Sequence, residues 1–339
     1  MYRTSEYVST GHPDKVADYL ACFLLDRYLE RDPMTRFALE VMIKDANVTL
    51  AGEVTSKANY SEEDIAAFVK IAVNQIGYTR AYQKLWGKEN TICGDDIEVT
   101  QHIGQQSPDI AQGVDGNRGW GDQCIAWGMA TNTPETGYMP KDHWLAKKIG
   151  KQLYDSRYAG IDIKTLVTTR DNRIDDIVVA IPMNEQHSEA TIADMVAFCC
   201  DGLRSYRLHI NGTGRFVKHG SIGDCGVTGR KLAVDFYGGN CKIGGGSPWT
   251  KDGSKADLSL NLLARARALS YVKENPDCPE VFCSISCRIG SPEILVAFYD
   301  GQNNELLSYR ECVSPEEVIK HFRLREPRFA QMCRNGLFT

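Results

Sequence analysis

The sequence predicts an α+β fold of three similar domains, in each of which helices cover a small, mostly antiparallel sheet. Three stretches have the composition of β-hairpins, with apolar and β-branched runs broken by turn residues: 36–56, 161–183 and 280–301. A serine-capped helix follows each hairpin, and an amphipathic helix precedes each one. This α-β-β-α unit recurs roughly every 126 residues, which is typical of repeated modules. Coincidental spacing of common elements is the alternative.

The helices that follow the hairpins have clear start signals. Ser61 and Ser314 stand three residues before Asp64 and Glu317, which is the spacing of a capping box, and Ser188 occupies the corresponding place in the central unit. The preceding helices are predicted at about 14–31, 141–157 and 254–274. We therefore predict an N-terminal domain at 1–101, a central domain at 118–217 and a C-terminal domain at 219–335, with a loop at 102–122 for which a mobile active-site loop is one of two interpretations.

Composition excludes several classes of protein. The net charge of −5 over 339 residues argues against a general nucleic-acid binder, so no nucleic-acid partner is expected. Neither a signal peptide nor a membrane span is apparent, and no membrane association is expected. The 12 cysteines form no CxxC pair, which favours free thiols and a cytoplasmic location. Cys283 and Cys287 alternate with Val281, Ile285 and Ile289, so we predict that all five lie on one buried face of a strand and that the two cysteines are not metal ligands.

A glycine-rich, basic segment stands out between the second and third units. Residues 212–253 hold 12 of the 30 glycines, and 215–255 carry seven basic residues against three acids. Glycine lets backbone N–H groups approach an anion closely, and lysine and arginine neutralise it. The segment is neither a P-loop nor a Rossmann fingerprint. It indicates a polyphosphate site, with a flexible basic linker as the alternative; within it, "KLAVDFYGG" is predicted to be strand-like.

Two further stretches are unusual. "STGHPDKVAD" at 9–18 gathers ionisable groups at a helix entrance, where a solvated cap is the ordinary interpretation. Residues 103–124 are rich in Gly, Gln and Asp and show almost no periodicity. A loop of that length is either functional, such as an active-site lid, or an ordinary surface loop.

Nine motifs together resemble the methionine adenosyltransferases, also called S-adenosylmethionine synthetases. They occur in the family's order over residues 4–330: "GHPDK", "IGQQSPDIAQGVD", "GDQ", "QHSE", "TGRFV", "GDCGVTGRK", "DFYGG", "GGG" and "KDGSKAD". The resemblance implies three domains about a pseudo-threefold axis and transfer of the adenosyl group of ATP to the sulfur of L-methionine. It implies that the tripolyphosphate is then hydrolysed to diphosphate and phosphate. It also implies two magnesium ions per site, potassium, and a homodimer with active sites at the interface; pairing of dimers into tetramers is left open.

The resemblance also implies roles for individual residues. His12, Lys164, Arg230 and Lys251 are expected to be catalytic, with His12 beside the leaving oxygen. The residues implied to bind ATP are His12, Asp162, Lys164, Arg215, Phe216, Asp224, Arg230, Lys231, Ser247 and Lys251. Those implied to bind methionine are Glu53, Gln106, Asp224 and Lys255. The implied metal ligands are Asp14 and Asp257 for magnesium and Glu40 for potassium. Asp122 is implied to act across the subunit boundary.

The chain also departs from the family pattern. Gly212, Ser221 and Leu258 stand where members usually have Pro, Gly-Pro and Arg. Ile243 replaces a histidine, and Trp249 adds bulk that could reshape the wall near the nucleotide or methionine. None of these changes removes a phosphate-binding cation or a metal-binding acid. A non-catalytic regulatory homologue and a hydrolase that no longer needs methionine are the competing hypotheses.

Overall fold

Three four-stranded sheets and the helices that cover them form the protein, and the computed structural model describes residues 1–105 and 119–338. The strands are β1 Tyr2–Val8, β2 Arg36–Lys44, β3 Asn47–Thr55, β4 Glu98–Gly104, β5 Cys124–Thr131, β6 Lys164–Arg170, β7 Arg173–Ala180, β8 Arg207–Ile210, β9 Gly226–Val227, β10 Glu280–Cys287, β11 Glu293–Tyr299 and β12 Glu305–Cys312. The helices are α1 Pro13–Arg31, α2 Glu62–Ile76, α3 Arg80–Trp86, α4 Lys141–Ser156, α5 Glu189–Cys199, α6 Leu232–Asp235, α7 Ala256–Glu274, α8 Pro315–Phe322 and α9 Phe329–Asn335. The predicted fold class is confirmed.

Each sheet is built on one of the three predicted hairpins. The strand orders are β4-β3-β2-β9, β1-β6-β7-β8 and β12-β11-β10-β5. In all three, an edge strand pairs antiparallel with the first hairpin strand. The other edge strand runs parallel to its neighbour in the first two sheets and antiparallel in the third. The repeat seen in the sequence is therefore a repeat of sheet topology.

The edge strands β1, β5 and β9 are exchanged between the repeated units. β1 lies at the N-terminus but pairs with β6 of the central hairpin, with Val8 opposite Lys164. β5 precedes the central helix but pairs with β10 of the third hairpin. β9 precedes the third helix but pairs with β2 of the first hairpin. Each unit therefore completes the sheet of the next one in a closed cycle, which brings distant parts of the chain together.

The long helices α1, α4 and α7 each pack on one face of a sheet, against the first hairpin strand and the exchanged strand. Strand alternation explains which residues they cover: Phe37, Leu39, Val41 and Ile43 of β2 are buried, whereas the residues between them are not. The predicted capping boxes at Ser61 and Ser314 are both formed. Ser188 is the N-cap of α5, but its hydroxyl makes no capping hydrogen bond.

Three local predictions need correction. Within "KLAVDFYGG", Leu232–Asp235 form the short helix α6 instead of a strand, because this stretch crosses between sheets and pairs with none of them. Cys283 is fully buried as predicted, whereas Cys287 is only half-buried. Ile289 lies beyond the end of β10 and is 63% exposed. None of the helices within the described part of the chain is long and apolar enough to cross a membrane.

Candidate active site

The first turn of α1 is the centre of the site. His12 is the N-cap, and its Nδ1 accepts a hydrogen bond from the Asp14 backbone N–H at 3.2 Å. Pro13 occupies the first helical position, where its missing N–H costs nothing. His12 is 2% exposed and Asp14 is wholly buried, so the solvated cap, the ordinary interpretation of this stretch, is wrong. The ionisable groups lie inside the protein.

The exchange of β1 brings residues 161–164 to this turn. The Ser9 backbone N–H donates to the Ile163 carbonyl at 2.9 Å, and the Ser9 hydroxyl donates to the Ile161 carbonyl at 2.6 Å. A side chain at Gly11 could not be accommodated, because a Cβ there would lie 2.2 Å from the Ile161 carbonyl oxygen. Lys164 begins β6 directly after this contact. The "GHPDK" loop and the start of the central hairpin are therefore locked together.

Strand β9 brings the basic, glycine-rich segment to the same turn. A Cβ at Gly226 would lie 2.1 Å from the Pro13 carbonyl oxygen, so only glycine permits this approach. The Val227 N–H donates to Asp14 Oδ1 at 2.9 Å, and Lys231 Nζ donates to Asp14 Oδ2 at 2.6 Å. Arg230 Nε lies 3.5 Å from Asp14 Oδ1. Asp14 thus gathers two cations from a segment more than 200 residues away.

The charges of this cluster are strongly coupled. Burial, followed by the charges of the nearby Lys164 and Lys231 ammonium groups, lowers the pKa of His12 to about 3, so the ring is neutral near pH 7. Its Nδ1 accepts a hydrogen bond, so Nε2 carries the proton. Burial opposes ionisation of Asp14, but the hydrogen bonds from Lys231 and Val227 outweigh it, and the pKa of Asp14 lies below its usual value. The turn presents a neutral donor beside several cations.

Asp162 is the second buried acid of this cluster. Its Oδ2 accepts the Gly220 N–H at 2.8 Å. Burial raises the pKa of Asp162 to about 7, against the opposing effects of the Gly220 hydrogen bond and Lys164, and Asp224 and Asp14 contribute to the rise. These electrostatic effects place Asp162 near Lys164, Asp14 and Asp224. Six predicted residues therefore share one cluster with Asp162, which we call the α1 cluster: His12, Asp14, Lys164, Asp224, Arg230 and Lys231.

A buried polar network lies behind the α1 cluster, and sequence reasoning missed it. Lys15 Nζ donates to Asp18 Oδ2 at 3.1 Å and to Asp235 Oδ1 at 2.6 Å. The Trp249 indole N–H donates to Asp235 Oδ2 at 2.8 Å, and the Gly229 N–H donates to Asp18 Oδ1 at 2.9 Å. The network ties α1 to the residue before Arg230. The helical spacing of Lys15 and Asp18 was the available signal, but their partners are over 200 residues away.

Trp249 therefore lies in the protein core. It is wholly buried, the Lys15 ammonium lies 4.8 Å from the centre of its ring, and the Cys22 thiol donates to its carbonyl. The bulk noted in the sequence is accommodated beneath α1.

Lys251 and Asp257 form a second group at the start of α7, which we call the α7 cluster together with Glu53. Lys251 Nζ donates to Asp257 Oδ2, and Cys124 Sγ lies 3.7 Å from Asp257 Oδ1. Lys251 bridges to Ala38 of β2, and Ala38 pairs with Glu53 of β3. Residues directly opposite on neighbouring strands share a face, so Lys251 and Glu53 lie on the same, helix-free face. No hydrogen bond or ion pair joins the α7 cluster to the α1 cluster in residues 1–105 and 119–338.

Two predicted residues lie between these groups. Glu40 is on the same face of β2 as Ala38, and its carboxylate accepts the Thr228 hydroxyl. Ser247 lies against Gly229, because a Cβ added to that glycine would be 3.1 Å from the Ser247 Cβ. Both positions adjoin the segment that carries Arg230.

Other predicted residues are more peripheral. Arg215 is exposed and lies 3.3 Å from Glu185. The Phe216 ring stands edge-on to His219 with ring centres 6.5 Å apart, which brings it towards the Gly220–Asp162 contact. Lys255 is the N-cap of α7, and Asp122 is exposed beside β5. Gln106 and most of the predicted 102–122 loop lie outside the described residues.

The carboxylates of Asp14 and Asp257 are the groups of the site that could bind a divalent metal ion. No cluster of three or more His, Cys, Asp and Glu side chains in the described ranges is arranged to hold an ion. Asp14 and Asp257 stand apart, each facing a lysine ammonium. Magnesium requires an octahedron of oxygen ligands. These residues therefore fit magnesium only where phosphate oxygens and water complete the coordination shell.

Comparisons with known proteins agree with this arrangement. The family model described as "S-adenosylmethionine synthetase, N-terminal domain" matches residues 1–108, and that described as "S-adenosylmethionine synthetase, C-terminal domain" matches residues 218–339. The S-adenosylmethionine synthase of Desulforudis audaxviator is 35% identical, over 99% of this chain and 92% of its own. That of Christiangramia forsetii is 33% identical, over 98% and 88%.

A solved structure extends the likeness to three dimensions. An unusual S-adenosylmethionine synthetase from Campylobacter jejuni superposes with a TM-score of 0.86 at 28% identity, covering 99% of this chain and 94% of that one. The repeated sheets, the α1 cluster and the family models together establish that this chain belongs to the S-adenosylmethionine synthetase family.

Proposed function

We propose that the α1 and α7 clusters carry out the reaction of this family, in which ATP and L-methionine give S-adenosylmethionine. As a methionine adenosyltransferase, the enzyme joins the thioether sulfur to C5′ of ATP and releases tripolyphosphate. Sulfur is a good neutral nucleophile, so the barrier depends on alignment and on the charge that develops on the leaving group. The observation that carries the proposal is the convergence of Lys164, Arg230 and Lys231 around His12 and Asp14.

His12 and the cations divide the work at the leaving group. The neutral ring holds its proton on Nε2, from which it donates a hydrogen bond to the departing 5′ oxygen. Lys164, Arg230 and Lys231 neutralise the phosphate chain. Asp14 orients the Lys231 ammonium through its 2.6 Å hydrogen bond. Because these cations are held before substrate arrives, little reorganisation is needed as charge develops.

Cleavage of the tripolyphosphate to diphosphate and phosphate is the second part of the proposal. The cationic surround retains the polyanion after adenosyl transfer. Asp14 and Asp257 would hold two magnesium ions together with phosphate oxygens, and Glu40 would hold potassium beside Thr228. Bound magnesium supplies further charge neutralisation to the phosphates. Lys251 pairs with Asp257 in this structure. We propose that a phosphate group of the bound substrate replaces Asp257 as the partner of the Lys251 ammonium.

The remaining residues are proposed to select the substrates. Asp162, Arg215, Phe216 and Ser247 serve the adenosine side of ATP, with the Phe216 ring as a surface on which adenine stacks. The residues proposed for methionine are Glu53, Gln106, Asp224 and Lys255. A carboxylate such as Glu53 suits the ammonium group of the amino acid. Asp122 is proposed to act across the subunit boundary.

We further propose that a homodimer completes each site. The α1 cluster and the α7 cluster have no direct bond in the described part of one chain. The helix-free faces of the sheets expose apolar side chains, including Met42 and Ile125, and exposed apolar surface is typical of interfaces. A twofold axis would cover these faces and bring the α7 cluster of one protomer to the α1 cluster of the other.

Mixing two inactive variants tests this division. Asp14→Asn and Asp257→Asn homodimers should each lack activity. After denaturation and joint refolding, half of the dimers are mixed, and each mixed dimer holds one site with both acids intact. Recovery of about a quarter of wild-type activity is expected. No recovery from two variants that refold alone would place a complete site within one chain.

A product assay separates this proposal from its competitors. The purified protein should form S-adenosylmethionine, diphosphate and phosphate from ATP and methionine when magnesium and potassium are present. Hydrolysis of ATP in the absence of methionine, with no formation of S-adenosylmethionine when methionine is added, would instead indicate a hydrolase. Absence of any turnover would favour a regulatory homologue. A cytoplasmic location is also proposed, because all 12 cysteines are free thiols.

A further inference from the structure

A cavity lies on the other side of the buried network from the α1 cluster. It has a volume of about 350 Å³ and is enclosed by β1, the first turns of α1, the helix α4, residues 234–236 and residues 336–338. None of the residues implied to bind ATP, methionine or metal lines it. The cavity is therefore separate from the proposed substrate site.

The charge of its wall is mainly positive. Four lysines, Lys15, Lys147, Lys148 and Lys151, line the cavity together with a single carboxylate, Asp235. Asp235 is already occupied by Lys15 and by Trp249. The three α4 lysines, each of which is half-buried, therefore have no free acid within the cavity.

Lys147 is the least satisfied of these lysines. Lys148 lies 3.8 Å from Asp201 and over the Trp144 ring, and Lys151 Nζ is 3.5 Å from an Asn335 oxygen. Lys147 makes no hydrogen bond or ion pair with any residue in 1–105 or 119–338. Burial, followed by the Lys151 charge, lowers the pKa of Lys147 to about 8, although Asp235 opposes this. An anion beside Lys147 would relieve both effects.

His143 also lines this cavity, one turn before Lys147, and is 4% exposed. Its Nδ1 has no hydrogen-bond partner among the described residues, but that atom is inaccessible to solvent and does not face the cavity. Burial lowers the pKa of His143 to about 3, so its ring is neutral and adds no charge to the wall.

The rest of the wall is aromatic and apolar. Tyr7, Trp144, Phe236, Leu337 and Phe338 line the cavity. A simple inorganic ion would leave this surface without a partner. An apolar wall with a few convergent polar groups is typical of a site for a small organic molecule.

We propose that this cavity is a binding site for a small organic anion, a carboxylate, sulfonate or phosphate ester with a compact aromatic body. The anionic group pairs with Lys147 and Lys151, and the ring packs against Trp144 and Phe338. The site is distinct from the substrate site, yet it shares Lys15 and Asp235 with the network that reaches Gly229, the residue before Arg230. A ligand there therefore touches the residues that position the α1 cluster.

Two fluorescent probes with the same rings test the proposal. They are 8-anilinonaphthalene-1-sulfonate, which is anionic, and N-phenyl-1-naphthylamine, which lacks the sulfonate. The intact protein is first saturated with magnesium, methionine and an ATP analogue that has a methylene group in place of the 5′ oxygen. This analogue cannot transfer its adenosyl group, so the substrate site stays filled. We expect one anionic probe per chain to remain bound, at least about tenfold more tightly than the neutral probe. Displacement by the ATP analogue, or equal affinity for both probes, would overturn the proposal.

Matched variants locate the bound probe. Lys147→Met keeps the length of the side chain and removes its charge, and should weaken binding of the anionic probe about tenfold while leaving the neutral probe unchanged. Lys141→Met is the control, because Lys141 lies on the same helix, is exposed and donates to the Asn172 carbonyl. It should change neither affinity. Unchanged S-adenosylmethionine formation by Lys147→Met would show that this variant is folded, and unchanged probe binding by it would refute the site.

Discussion

The first turns of α1, α4 and α7 hold the same residue type at the same place, yet they differ in chemistry. Asp14, Asp142 and Asp257 each occupy the second position of the long helix of their unit. Each also contacts the exchanged strand or its flank. Asp14 accepts the Val227 N–H, Asp142 accepts the Ser5 hydroxyl at 2.6 Å, and Asp257 lies 3.7 Å from Cys124 Sγ. The repeated fold thus places three equivalent acids.

Their remaining partners separate the three acids. Asp14 and Asp257 face lysines, Lys231 and Lys251, whereas Asp142 faces the neutral amide of Asn240 at 2.8 Å. A lysine can exchange its carboxylate for a phosphate, but an amide held by Asp142 and Ser5 has no comparable role. The fold therefore supplies an acid three times, and the cation beside Asp14 and Asp257, absent beside Asp142, predicts which two of these turns bind phosphate.

Asp14→Asn should have the largest effect. Asparagine keeps an acceptor for the Val227 N–H but removes the charge that holds Lys231 and that would bind magnesium. The kcat for S-adenosylmethionine formation should fall by about 10²–10³-fold, as measured by product formation at saturating ATP and methionine. The proposed role of Asp14 is wrong if kcat stays within threefold of wild type.

Asp142→Ala is the matched change at the third acid. It leaves the Ser5 hydroxyl and the Asn240 amide without their shared acceptor inside the protein. The free energy of unfolding should fall by about 2–3 kcal/mol, as measured by urea denaturation, while kcat below the unfolding transition stays near the wild-type value. A loss of kcat like that of Asp14→Asn would make the three acids functionally alike and remove the contrast.

The charge state of Asp162 gives a smaller effect that depends on pH. Its pKa is about 7 in the folded protein, against 3.8 ordinarily, so unfolding releases a proton between those values. The contribution of Asp162 to the free energy of unfolding should therefore decrease as pH rises from about 4 to 7 and then level off. His12 and His143 contribute in the opposite direction, because their pKa values are lowered to about 3. Asp14, whose pKa is lowered, contributes nothing in this direction.

Asp162→Asn should remove this one contribution, as measured by urea unfolding of both proteins at several pH values without substrates. The free energy of unfolding of the wild type relative to that of the variant should fall as pH rises from about 4 to 7, whatever the other titrating groups contribute, because Asp18 and Asp26, with pKa values of about 6, are the same in both proteins. An identical slope in the variant and the wild type would show that Asp162 is already ionised in the folded protein near pH 5.

Ser5→Ala should have the smallest effect. It removes one donor to Asp142 and leaves Asn240 in place. A loss of about 1 kcal/mol in the free energy of unfolding is expected, with no change in the KM for ATP, because this helix turn has no substrate role. A raised KM would instead connect the third turn to catalysis.

Much of the fold could be predicted from the sequence because its signals are local. The hairpins at 36–56, 161–183 and 280–301 follow from strand composition and turn residues, and the caps at Ser61 and Ser314 follow from spacing within one helical turn. The helix in 232–235 was missed because its strand-like composition is overruled by its position between sheets. The roles of the site residues, inferred from the family resemblance, stay predictions.

Local patterns of side chains a few residues apart account for the threefold repeat, the helix starts and the presence of acids and cations in these segments. The pairing of β1, β5 and β9 with neighbouring sheets is a property of the whole fold, and so are the contacts of Asp14 with Lys231 and of Asp142 with Asn240 that follow from it. Pairing between strands more than 150 residues apart depends on how the whole chain buries its apolar faces. Local periodicity carries no record of that choice.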